Sequence, residues 1–134
     1  MQTHELKVRV YYEDTDAGGI VYYANYLRFA ERARTEMLRD AGFDHAQVFK
    51  DKKTGFAVAA ANINYKAPAT LDDLLTIKTK VDNIGGASMK MKQDIYLQEK
   101  LMTEIEVTLV CVDKNLKAVR IPEKVREIFK NGDN

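Results

Sequence analysis

One stretch of this chain changes period. From Ala24 to Ala41, the residues Tyr26, Ala30, Ala33, Met37 and Ala41 recur at spacings of three and four, while Arg28, Glu31, Arg32, Arg34 and Arg39 fall mainly elsewhere. That is the signature of an amphipathic helix. Most of the remaining sequence alternates with a period of two, as strands buried on one face do. A sheet of that kind must cover its apolar face, and the one long helix is the available cover. The expected architecture is α+β: an antiparallel sheet of five to six strands wrapped around one long central helix.

The alternation can be followed along the chain. His4 to Tyr12 sets Leu6, Val8 and Val10 against Lys7, Arg9 and Tyr11. Phe56 to Lys66 reads as a strand with small residues in its middle, closed by Pro68. Leu74 to Asp82 and Ala87 to Leu97 alternate on either side of the turn Asn83-Ile84-Gly85-Gly86. Glu99-Lys100 turns the chain into a long strand, Thr103 to Val112, and Asp113-Lys114-Asn115 leads to an expected last strand, Leu116 to Ile121. Pro122 suits the first turn of a closing helix whose apolar residues are Val125, Ile128 and Phe129. Short turns imply antiparallel neighbours. On the helix, Ala30 and Ala33 permit close approach to the sheet, Arg28–Glu31 and Glu36–Arg39 can pair on the solvated face, and Gly42 stands where a left-handed residue closes a helix.

At 134 residues the chain is most economically one domain, 1–134, able to build a core without metal or disulfide help. Lys+Arg 21 against Asp+Glu 20 leaves a net charge near zero, which calls for neither nucleic acid nor a membrane surface. The single cysteine, Cys111, excludes an intrachain disulfide and lies in an apolar run, where a buried thiol is expected. MQTHELKVRV carries charges where a signal peptide needs an apolar core, and no apolar run approaches the length of a membrane span. A cytosolic protein is the default expectation.

The chemistry gathers between Tyr11 and Tyr26, YYEDTDAGGIVYYANY, which packs three carboxylates, two adjacent glycines and five tyrosines into sixteen residues. His4 and His45 both lie outside it, and a solvated surface role is expected for each. No GxSxG elbow, HExxH pair or P-loop is present. The carboxylates could be ordinary turn chemistry. Position favours more: Asp16 precedes a helix start across Gly18-Gly19, and the unpaired N–H donors around Val21 to Ala24 could hold an oxyanion. Asp16 would then act as nucleophile or general base, with Glu13 and Asp14 shaping the loop.

These residues also carry a resemblance. DTDAGGIVYYANY, preceded by a strand and followed by FAERARTEML, resembles the signature of the hotdog-fold 4-hydroxybenzoyl-CoA thioesterase family, and within it the small acyl-CoA thioesterases associated with the bacterial Tol–Pal system. The resemblance covers essentially the whole chain. It implies a hotdog fold assembled as a homodimer or homotetramer, and hydrolysis of acyl-CoA without metal or other cofactor. Matched residue by residue, Asp16 corresponds to the catalytic carboxylate and the backbone N–H of Tyr23 to the oxyanion donor. Gly19, Val21 and Tyr22 fall on the substrate-binding stretch. Many members of that branch carry a histidine where this chain has Tyr23, so an imidazole is missing there while a backbone donor is retained. Ser88, in Gly85-Gly86-Ala87-Ser88, resembles a turn near the substrate across the subunit interface. Lys66, Lys90 and Lys92 are candidates for CoA phosphates, with solvated strand lysines as the plain alternative.

The leading expectation is therefore an acyl-CoA thioesterase. The alternative is a non-catalytic acyl-CoA or acyl-carrier-protein binding module on the same scaffold. A hotdog dehydratase ranks below both, because neither histidine lies in the motif.

Overall fold

Period-two runs become strands and the 3.6-period run becomes a helix that covers part of their sheet. The computed structural model describes residues 3–42, 44 and 54–131. Its elements are β1 (His4–Arg9), α1 (Asn25–Asp40), β2 (Thr54–Tyr65), β3 (Leu74–Ile84), β4 (Ser88–Leu97), β5 (Lys100–Asp113) and α2 (Glu123–Asn131). The five strands form one sheet in the order β1-β3-β4-β5-β2, with every neighbouring pair antiparallel. Helix α1 lies against β1 and β3. The α+β architecture matches expectation.

One expected strand is absent and several bounds differ: β2 begins at Thr54 rather than Phe56, β3 runs through Asn83 and Ile84 of the expected turn, and β5 begins at Lys100 rather than Thr103. The expected sixth strand, Leu116 to Ile121, does not form. Leu116 takes a left-handed φ of 63°, and the segment meets the sheet through one isolated bridge, Ala118 to Val112. Asp113 supplies the reason: its Oδ1 accepts the N–H groups of Asn115 and Lys117 at 2.8 and 3.0 Å, a local closure that competes with a ladder. The first strand stops at Arg9 rather than Tyr12, because Tyr12–Asp14 curls into a 3-10 turn closed by Asp14 N–H on the Tyr11 carbonyl at 3.0 Å.

Helix α1 buries Tyr26, Ala30, Ala33 and Met37 as expected, together with Asn25, Phe29 and Leu38. Ala41 is instead exposed, because the helix ends at Asp40 and turns at Gly42 (φ 88°), whose N–H reaches the Arg39 carbonyl. Ala30 and Ala33 are fully buried, so the backbone of α1 comes close to the sheet. Phe29 belongs to the same core as Leu75, Ile77 and Ile95, all fully buried. Truncating a phenylalanine so placed costs about 3–5 kcal/mol. Cys111 is buried and burial pushes its thiol pKa up, in keeping with a core residue. His4 is less solvated than expected: its Nε2 sits 2.8 Å from Asp40 Oδ2 and ties β1 to the end of α1. His45 lies outside the described residues.

Polar side chains are also buried in this apolar layer, Gln93, Thr79 and Thr103 among them. Gln93 of β4 is fully buried, and its Nε2 donates to the Ala30 carbonyl at 2.8 Å and to Thr79 Oγ1 at 3.0 Å. Its Oε1 accepts Arg34 Nη1 at 2.9 Å. Apolar contact lets a helix slide; these directional bonds fix α1 against β3 and β4.

Candidate active site

The motif Tyr11 to Tyr26 folds as a small hairpin that delivers the chain to α1. Tyr22 N–H donates to the Asp14 carbonyl and Asp16 N–H to the Ile20 carbonyl, both at 2.9 Å, with Thr15 bridging Val21 between them. The loop tip is closed by Asp16 itself: its carbonyl accepts Gly19 N–H at 3.0 Å and its Oδ1 accepts Gly18 N–H at 2.9 Å. The two glycines serve different ends. A Cβ on Gly18 would come within 3.3 Å of Asp16 Oδ1, whereas Gly19 is needed for its φ of 83° and has open space around it. The hairpin is anchored from behind by Val21 N–H on the Ala69 carbonyl and by a bridge from Ile20 to Thr70.

Two of the three carboxylates now have distinct surroundings. Asp14 is buried; its Oδ2 accepts Tyr11 N–H at 2.8 Å and its Oδ1 accepts Asn25 Nδ2 at 2.7 Å. It holds the loop, as expected. Asp16 is exposed, and one of its oxygens is committed to Gly18. Glu13 is exposed.

The expectation of free donors from Val21 to Ala24 narrows. Val21 is buried and its N–H is used by Ala69; Tyr22 N–H is used by Asp14. Val21 therefore supports the loop from the core rather than facing a ligand within this chain. Among the described residues, no acceptor meets the N–H of Tyr23 or Ala24. Their directions are fixed indirectly. In a trans peptide the N–H points away from the preceding carbonyl. Asn25 N–H on the Tyr22 carbonyl, at 2.8 Å, thus orients the Tyr23 N–H, and Tyr65 Oη donating to the Tyr23 carbonyl, at 3.0 Å, orients that of Ala24. The positive end of the α1 dipole adds to both.

Asn25 and Tyr65 are the two residues that the sequence reading missed. Asn25 carries a weak signal, a polar residue at the first position of an apolar-faced helix. Tyr65 carries none, since it comes from β2, 42 residues away from Tyr23. Its ring packs 5.6 Å from that of Tyr26, whose hydroxyl accepts Ala69 N–H at 3.1 Å. Tyr22 and Tyr23 present exposed rings 4.8 Å apart, and the side-chain hydrogen bond between them raises the Tyr22 pKa.

The remaining candidates lie elsewhere. Arg9 pairs with Leu74, so the motif hairpin leaves β1 at the Leu74 end of β3; Ser88 starts β4 beyond the opposite end, at Ile84. At about 3.3 Å per strand residue, roughly 30 Å of sheet separates Ser88 from the motif within one chain. Lys66, Lys90 and Lys92 are exposed and reach Glu104, Glu106 and Asp94 at 3.4, 3.7 and 3.9 Å. Such pairs are what solvated strand lysines make.

The hairpin thus carries an exposed aspartate at its tip and leads into two oriented N–H groups at the start of α1. Comparison with known proteins supplies the class. The chain belongs to the Thioesterase-like superfamily, whose family model matches residues 10–129. The acyl-CoA thioester hydrolase YbgC of Escherichia coli is 46% identical over 125 residues, covering 92% of each chain. The acyl-CoA thioesterase YbgC of Haemophilus influenzae is 42% identical, covering 91% of this chain and 90% of its own. Among solved structures, a probable thioesterase from Bartonella henselae superposes with a TM-score of 0.85 at 39% identity, over 90% of this chain and all of the other. The sheet-and-helix architecture is the hotdog fold expected from the motif.

Proposed function

We propose that the protein hydrolyses acyl-CoA thioesters to the free acid and CoA, with Asp16 as the acting carboxylate and the Tyr23 N–H as oxyanion donor. The observation that carries this reading is the near full-length identity to thioester hydrolases, combined with an exposed Asp16 on the hairpin that feeds the helix start. The thioester carbonyl oxygen lies against the Tyr23 N–H. Asp16 either attacks the carbonyl carbon or takes a proton from the water that does so. The tetrahedral oxyanion is held by the helix N-terminus, and its collapse breaks the C–S bond and releases CoA as thiolate. On the covalent route, water then hydrolyses the acyl-aspartyl anhydride.

Gly19 and Tyr22 border this position on the same hairpin. Lys66, which follows Tyr65, is the lysine best placed to meet a CoA phosphate. A role for Ser88 at this site supports a homodimer or homotetramer, because within one chain roughly 30 Å of sheet separates the two. So does β2: it is an edge strand of twelve residues whose small and apolar side chains, Val58 among them, are exposed, and an uncovered edge of that kind pairs readily with another strand.

The test is thiol release across a panel of acyl-CoA esters with wild type and Asp16→Asn. Near wild-type turnover by the variant on every ester would remove Asp16 from the mechanism. Tight CoA-ester binding without release in the wild type would favour the non-catalytic module. Oxygen label from water found in Asp16 after one turnover selects the covalent route. A monomer by light scattering at working concentration would remove the proposed assembly.

A further inference from the structure

A groove of about 540 Å³ runs between α1 and the sheet, bordered by Leu27, Arg28 and Arg34 on the helix and by Val58, Ala61 and Val107 on the strands. A second cavity of about 270 Å³ continues it, shares Glu31, Arg34 and Val58, and ends at Leu38, Met89 and Met91. One wall is apolar and the other is charged. Arg34 stands at the junction.

Its situation is unusual for a largely buried cation. Buried charges are normally matched by an opposite charge. Among the described residues no carboxylate comes within 4 Å of the Arg34 guanidinium; its one hydrogen bond goes to the neutral amide of Gln93, itself fully buried and held by Ala30 and Thr79. The amide fixes the guanidinium; burial lowers its pKa and the charge of Glu31, one turn back on α1, partly offsets that from more than 4 Å away, so the rest of the donor fork is left for a ligand. Arg28 and Arg32 add positive charge to the same groove and Glu31 opposes it, so cations outnumber anions three to one.

The groove also begins in the right place. Leu27, at its mouth, is one helical turn beyond Tyr23, and Arg34 is eleven residues beyond it, about 16 Å along the axis at 1.5 Å per residue. We infer that this groove holds the acyl arm of the substrate, and that Arg34 is a specificity residue selecting acyl groups with an anionic far end, a terminal carboxylate being the simplest. The inference rests on the thioesterase reading above and extends it to substrate class. With the thioester at the Tyr23 N–H, an extended chain lies along Val58, Ala61 and Val107, and its distal carboxylate meets Arg34 in a charge-assisted bond. Pairing along the outer edge of β2 would use that strand's main chain and leave this side-chain face to the acyl arm.

The experiment compares kcat/KM for pairs of CoA esters of equal acyl length, one ending in a methyl group and one in a carboxylate, over a range of lengths. Wild type is expected to favour the carboxylate member by about tenfold or more at the length that reaches Arg34. Arg34→Met keeps an apolar stem but leaves Gln93 Oε1 without its donor, so it is read as the ratio of the two esters on the one variant, which is expected to fall to about one whatever the overall rate. Glu31→Gln should increase the preference. The proposal is overturned by a wild type without preference at any length, by Arg34→Met slowing both members equally, or by a change of oligomeric state in Arg34→Met, which would make the groove an interface between copies. If no ester is hydrolysed, the thioesterase reading itself fails. The groove is then judged by the rise in melting temperature with a free long-chain dicarboxylic acid, which must be present in wild type and lost in Arg34→Met.

Discussion

The two sides of the motif hairpin hold aspartates only two residues apart in opposite situations. On the inner side Asp14 is 3% exposed, and both of its oxygens are engaged, by Tyr11 N–H and Asn25. On the outer side Asp16 faces solvent and bonds only the tip of its own loop. The side chains are chemically identical, so the difference comes from the backbone. Asp14 closes the 3-10 turn Tyr12–Asp14, where its carboxylate meets Tyr11 N–H and Asn25, whereas Asp16 stands at the loop tip beyond the Thr15–Val21 bridge and faces solvent. A buried, doubly hydrogen-bonded carboxylate stabilises a loop; an exposed one is free to take part in a reaction.

The sharpest way to break this contrast is to exchange the two losses. Asp16→Asn should lower turnover by about 10²–10⁴-fold, as removal of a general base does, while shifting unfolding free energy by no more than about 0.5 kcal/mol. Kinetics and denaturant titration on the same sample test both halves. Asp14→Ala should do the reverse in kind. It leaves the part-buried Tyr11 N–H and the buried Asn25 amide without an acceptor, and should cost about 2–4 kcal/mol of stability by denaturant midpoint. Equal loss of stability in the two variants would dissolve the distinction.

Gly19→Ala addresses the loop that keeps the two aspartates apart. At φ 83° an alanine is strained whatever the space around it, and a cost of about 1–2 kcal/mol is expected in thermal unfolding. Gly18→Ala meets Asp16 Oδ1 instead, so it should disturb turnover more than stability.

A third carboxylate gives the smallest effect. Burial raises the pKa of Asp94 on β4, only partly countered by Lys92 at 3.9 Å, and its Oδ1 is buried without a partner. A folded pKa above the unfolded one favours the native state below the unfolded pKa, and that contribution is lost as pH rises through the folded value. Asp94→Asn should therefore keep or slightly raise stability at neutral pH. Unfolding midpoints measured from acid to neutral pH should show the variant losing less stability than wild type over that rise.

Much of this could be read in the chain before it was folded. The change of period at Ala24 placed α1 to within a residue at each end, and the alternating runs located five strands, because burial of one face imposes a spacing that local sequence cannot hide. The loop around Asp16 was legible as a tight turn before the helix, because adjacent glycines and aspartates favour one. Leu116–Ile121 was misread for a related reason: it carries strand-like residues, but Asp113 ties its backbone locally.

What the sequence determined, then, was the set of elements and the motif in which an acting carboxylate had to be sought. Only the tertiary structure decided which N–H groups stay free, because that depends on Ala69, Asn25 and Tyr65 arriving from other parts of the fold. It alone placed Ser88 far from the motif within one chain, and set Arg34 on a buried glutamine between two cavities. Spacing along a chain records which face a residue shares; hydrogen-bond partners and cavities arise between segments distant in sequence, and no local pattern encodes them.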